Sequence, residues 1–189
     1  MRFSYTLCMS KHQDSRRLDV KGFAQAGEQL HASMALAGIA RLMAETQGRG
    51  GDAIMTWSAR GELRNARHVN PQIWLHLQAS ATLSLTCQRC LAPVAVPVAV
   101  DRSFRFASDE DTAAAQDDES EEDVLALSRS FDLQELVEDE ILLEMPMAPR
   151  HEVCPSQLPM SVADEEFEQA LASRESPFAM LDKLKKTPS

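Results

Sequence analysis

Ile73-Trp74-Leu75-His76-Leu77-Gln78-Ala79-Ser80-Ala81-Thr82-Leu83-Ser84-Leu85-Thr86 puts an apolar residue at every odd position and, Trp74 apart, a polar one at every even position. A period of two sustained this long predicts a β-strand with one face in a core and the other in water. The alternation breaks at Cys87–Pro93 and resumes as Val94, Val96, Val98, Val100, Phe104 and Phe106, opposed by Ala95, Pro97, Ala99, Asp101, Ser103 and Arg105. Two long strands around one short break predict an antiparallel pair. Pro97 has no N–H for a ladder, so the second strand is expected to run along an edge or to bulge there.

Outward from this pair, Met55, Trp57 and Ala59 predict another strand near 53–60. Leu30, Met34 and Ala37, with Leu36, Ile39, Ala40 and Met43 beside them, recur at three- and four-residue steps and predict an amphipathic helix over 24–46, ended by Gly48, Gly50 and Gly51. Residues 107–123 hold nine acidic side chains and no large apolar one, a composition that predicts a disordered acidic loop. Asp132 then caps a helix that turns Leu133, Leu136, Val137 and Ile141 inward, with Glu135 placed to reach back to the cap, and Pro146 stops it. A short helix follows near 164–172. Phe178, Leu181 and Leu184 form a last stripe, read either as a dock on the domain or as a partner-binding peptide.

The expected fold class is therefore α+β: an antiparallel sheet with helices packed on one face and a disordered acidic loop as an insertion. Its expected parts are an N-terminal segment, 1–50, packed on the main domain; a core, 51–155; and a helical tail, 156–189.

Composition narrows the function. With seven glycines and 5% aromatic residues, a Gly-rich cofactor cradle is not expected. The apolar run Leu91–Val100 contains Pro93 and Pro97 and is too short to span a bilayer. Charged residues from Lys11 to Arg17 interrupt any secretory signal near Met1, so the expected location is the cytoplasm. The net charge of −10 conceals a split: residues 1–106 carry 13 Lys/Arg against 7 Asp/Glu, whereas 107–189 carry 6 against 22. A basic half suits phosphates, and an acidic half suits basic partners such as ribosomal proteins.

Cys87 and Cys90 form a C-x-x-C in the predicted turn, and His151 and Cys154 form an H-x-x-C after Pro149, which together can make a Cys₃His set. Three outcomes stand open for these four residues: one structural zinc, a reactive dithiol, or unliganded thiols that pack a turn. A redox C-x-x-C normally opens a helix beside a parallel strand, unlike the setting here. Cys8 reads as a lone cytosolic thiol. No phosphate loop, H-E-x-x-H or nucleophile beside a histidine is evident, so the chain is expected not to be an enzyme and to have no small-molecule substrate. Arg60, Arg64, Arg67 and Arg89, with His68, Arg102 and Arg105, are candidates for a basic, RNA-binding surface on or near the sheet.

Cys87-Gln88-Arg89-Cys90-Leu91-x-Pro93, the strand ending at Phe104, the acidic spacer, Asp132-Leu133-x-Glu135-Leu136-Val137-Glu138-Asp139-Glu140-Ile141-Leu142-Leu143 and Pro146-x-x-Pro149-x-His151-x-x-Cys154 together resemble the YceD family of large ribosomal RNA subunit accumulation proteins. Pro177-Phe178-Ala179-x-Leu181-x-x-Leu184-Lys185 is similar to that family's C-terminal signature. The resemblance implies a non-enzymatic factor for 23S rRNA accumulation or processing and large-subunit biogenesis, with pre-ribosomal RNA or large-subunit ribosomal proteins as partners. A zinc-binding or thiol-active protein-interaction module is the alternative.

Overall fold

The alternation at 73–106 is realised as the two longest strands, β3 (Gln72–Thr86) and β4 (Pro93–Ala107), antiparallel and in register from Ile73 opposite Phe106 to Thr86 opposite Pro93. The computed structural model describes residues 14–155 and 164–173. Cys8 and the stripe Phe178, Leu181 and Leu184 lie outside the described residues. The chain divides into two compact units, residues 1–153 and 154–189.

In the first unit the elements run α1 (Val20–Ala26), β1 (Gln29–Ala35), α2 (Ala40–Glu45), β2 (Ile54–Arg64), β3, β4, α3 (Glu110–Asp117), β5 (Asp123–Ala126) and α4 (Leu133–Leu143). The five strands form one sheet in the order β1-β2-β3-β4-β5, antiparallel except for the short parallel pair β4·β5. β5 pairs only with Phe104–Ala107, so the Pro97 half of β4 borders no further strand among the described residues, as a residue without an N–H requires. In the second unit the described helix is α5 (Glu165–Ser173), where Asp164 accepts from the Phe167 N–H at 2.7 Å.

Odd positions of β2 and β3 face the core. Met55, Trp57, Ala59, Leu75, Leu77 and Leu83 are buried there, and α1 and α4 pack over them. Asp132 caps α4, its carboxylate accepting from the N–H groups of Gln134 and Glu135 at 3.0 Å each. Leu133, Val137 and Ile141 turn into the core, and Arg41 of α2 bonds Asp139 of α4 at 2.5 Å. Even positions of β2 and β3, rich in Ser, Thr, Gln, His and Arg, face away from the helices.

Two expectations are corrected. The helix over 24–46 is not formed: α1 ends at Gly27, whose φ of +62° reverses the chain, and β1 follows. Leu30, Ala32 and Met34 fit a period of two as well as one of 3.6, and pairing them with Ala59, Trp57 and Met55 places them on the sheet's apolar side. The acidic segment is not a disordered loop either. Asp109 caps α3 by accepting from Thr112 N at 2.9 Å, Glu110 and Asp111 sit in the first turn where the helix dipole favours negative charge, and Asp117 accepts from Val124 N at 2.8 Å. Ala107, Ala113 and Val124 supply a small satellite core beneath it.

Glu140 is the one buried carboxylate among the described residues, 8% exposed. Burial raises its pKa, the Arg102 guanidinium 3.9 Å away lowers it, and Asp123, Asp139 and Glu144 raise it further; the net shift is upward. Between the ordinary glutamate pKa and that raised value the folded chain binds more protons than the unfolded one, so stability falls as pH rises through the window. Glu140→Gln is therefore expected to melt a few degrees higher than the parent at pH 7, with the gap closing below about pH 4. Thermal melts across pH check this; a variant less stable at neutral pH would show that the Arg102 pairing outweighs desolvation.

Candidate metal centre and basic surface

The β3–β4 turn is held by its own backbone, with Cys87 N donating to Ala92 O at 3.0 Å and Leu91 N to Cys87 O at 2.9 Å. Leu91 takes a φ of +61°. A branched residue in the left-handed region costs of order 1 kcal/mol, and here it is the residue after the second cysteine, where the chain must curl back beneath both thiols.

The segment after α4 is drawn onto this turn. Gln88 N donates to Pro149 O at 2.8 Å, and Arg89 Nη2 donates to the carbonyls of His151 and Glu152 at 3.1 and 3.3 Å. His151 Nε2 lies 3.0 Å from Pro93 O. A carbonyl only accepts, so Nε2 carries a proton, and Nδ1, 3.4 Å from Cys90 Sγ, is the nitrogen turned toward the cysteines. Cys154 follows three residues on, and one ligand atom from each of Cys87, Cys90, His151 and Cys154 lies within 4.8 Å of every other.

Cys87 is wholly buried. Burial by itself pushes its thiol up, but the backbone N–H groups of Cys90, His151 and Arg89 and the Cys90 side chain outweigh it and hold the pKa at about 5. The thiolate, which is the metal-binding form, is thus favoured at neutral pH. The donor set suits zinc: three sulfurs and one imidazole nitrogen form a closed set of four protein ligands, as in structural rather than catalytic sites. At ~2.3 Å from each sulfur, a tetrahedral ion needs ligand atoms roughly 3.8 Å apart, which the 4.8 Å bound accommodates. Sequence spacing singled out these four candidates, and the structure brings them together. Spacing missed the supports, Pro93 O and the Arg89 guanidinium, because one is a backbone atom and the other carries no motif.

The arginines are not gathered in one place. Arg60 and Arg64 lie on the outward face of β2, both beside Glu62 at 3.9 and 3.2 Å, and Arg67 is in the β2–β3 turn. Arg89 sits past the other end of β3, up to roughly 45 Å away along a strand rising ~3.3 Å per residue. Arg102 faces the helices instead, bonded to Asp123 and close to Glu140. Its even position on β4 shares the apolar side with Val98, Val100 and Phe104, and its partners belong to β5 and α4. His76, on the outward face of β3, is half-buried between Glu62 Oε2 at 2.6 Å and Ser103 Oγ at 2.8 Å. Among the described residues, no helix is long and apolar enough to cross a membrane.

The family model described as "Large ribosomal RNA subunit accumulation protein YceD" matches residues 75–185. The match begins within β3, extends past α4 and α5, and includes all four candidate ligands. Comparison with curated proteins and with solved structures found no match.

Proposed function

The chain belongs to the YceD family of large ribosomal RNA subunit accumulation proteins, and on that premise we propose that it is a non-enzymatic, cytoplasmic factor for 23S rRNA accumulation and large-subunit biogenesis. The family match over 75–185 is the observation that carries this reading. The outward face of the sheet supports it, since Arg60, Arg64 and Arg67 can meet phosphates of pre-ribosomal RNA. The acidic helices α3 and α4 suit a basic ribosomal protein as a further contact.

Zinc enters this reading as a structural ion. Cys87, Cys90, His151 and Cys154 would hold it, and its contribution is to tie the β3–β4 turn to the segment after α4. Arg89 belongs with this clasp through its bonds to the His151 and Glu152 carbonyls; any phosphate contact it makes is separate from that of the other three arginines.

The test is co-sedimentation with large-subunit precursors. The parent is expected to co-sediment in a salt-sensitive way, and the triple variant Arg60→Glu, Arg64→Glu, Arg67→Glu to lose at least tenfold in affinity, with a log–log salt slope smaller by about 2–3. Arg89 is left intact so that the clasp is undisturbed. Binding indifferent to both salt and charge reversal contradicts the RNA reading and favours a module that uses its zinc or thiols on a protein partner.

A further inference from the structure

One large aromatic interrupts the polar face of the sheet. Trp74 has the parity of His76, Gln78 and Ser80, yet is only 5% exposed, with the Arg64 guanidinium 4.0 Å from its ring centroid. Its indole N–H donates to Gln72 Oε1 at 3.3 Å, so the ring is polar-satisfied at its edge and apolar across its face. The cover is a surface one: the Arg64 side chain is 42% exposed and is tethered at 3.2 Å to Glu62, which also binds His76. Two residues along the same face, the His76 ring lies 6.5 Å from the Trp74 ring with the planes within 12° of parallel. Arg60 stands opposite His76 and Arg105 opposite Trp74 in the strand register, and a cavity of about 340 Å³ opens between Gln29, Ser58, Arg60, His76, Gln78 and Asp101.

We propose that Trp74 and His76 form a stacking platform for the bases of single-stranded RNA, on which the Arg64 guanidinium holds the place of a base until RNA arrives. A guanidinium and a nucleobase are both planar groups that lie flat on an indole. When a base takes that place, Arg64 is released to a neighbouring phosphate, and Arg60, 58% exposed, stands alongside for the next. Rings displayed on the open face of a sheet are the means by which sheets stack consecutive bases. Duplex RNA keeps its base faces covered, so the platform selects single strands. This inference rests on the RNA reading above and adds to it the chemical state of the RNA and the atoms it meets.

Trp57→Phe leaves Trp74 as the one tryptophan of the two in the chain. In that variant a short single-stranded oligoadenylate is expected to quench the tryptophan emission, and a duplex of equal charge to leave it unchanged. Trp74→Leu is expected to weaken oligoadenylate binding, read by anisotropy of a labelled strand, about tenfold or more. Should that variant not fold, His76→Ala in the parent is expected to weaken binding severalfold. Equal quenching by duplex, or oligoadenylate binding that neither alters Trp74 emission nor responds to these substitutions, overturns the platform. If precursors still co-sediment in that case, the RNA reading survives; if co-sedimentation is absent too, both fall.

Discussion

Cys87→Ser is expected to lower bound zinc from one equivalent to well under half of one and to depress the melting temperature by about 10 °C in the presence of zinc. Among the four ligands Cys87 is the buried one, and its sulfur is surrounded by the N–H groups of Cys90, Arg89 and His151. A serine hydroxyl is not deprotonated in that setting and leaves the donor set one short. Loss of a group that hydrogen-bonds a metal ligand from behind costs roughly 10–100-fold in metal affinity, so loss of a ligand is expected to cost more. An ion present at about 1,000 times its dissociation constant adds about 4 kcal/mol to stability, which sets the size of the shift. Chelation of the parent should reproduce the effect, and chelation of the variant should add little. Calorimetry together with metal analysis reads both; equal melting of parent and variant, with and without chelator, contradicts the clasp.

Gly61→Val is expected to be the most damaging single change in the sheet. Gly61 lies on β2 facing α1, where an added Cβ would stand 2.7 Å from Phe23 Cδ1 and 2.8 Å from both the N and the Cα of Ala24. Two of those three atoms are backbone and cannot swing aside, so the helix itself must lift. Overpacking of this kind costs about 1–3 kcal/mol for a small addition. Valine adds two further methyls in the same place, and Phe23, wholly buried now, would be partly uncovered. Gly61→Ala is expected to lose about 1–3 kcal/mol and the valine variant more, by urea denaturation. An alanine variant as stable as the parent would show that α1 is not seated as described.

Both effects fall on parts of the chain that differ in how openly the sequence declares them. The β3–β4 pair was legible because its alternation is long and is broken only at 87–93, and the two strands do pair around that break, with Leu85 opposite Val94. Asp132 was legible as a cap because its carboxylate acts within three residues. The four candidate ligands could be grouped by type and spacing, although their meeting depends on Gln88 and Arg89 binding carbonyls some sixty residues away. β1 was hidden because Leu30 and Met34 satisfy two periods at once, and the choice between them is made by β2, not by the segment itself. α3 was hidden because its stabilisation comes from a cap, a dipole and small alanines rather than from large apolar residues. The arginines could be counted but not placed: strand length separates Arg89 from Arg67, and position parity turns Arg102 toward the helices.

The central structural claim is that a zinc ion joins the β3–β4 turn to the segment after α4 through Cys87, Cys90, His151 and Cys154. Its most direct measurement is the mass of the purified chain under native and then denaturing conditions. The account predicts a native mass higher by one zinc ion, lost on unfolding and lost without unfolding in the Cys87→Ser variant. A folded parent of identical mass under both conditions, after expression and purification with zinc supplied, would contradict it.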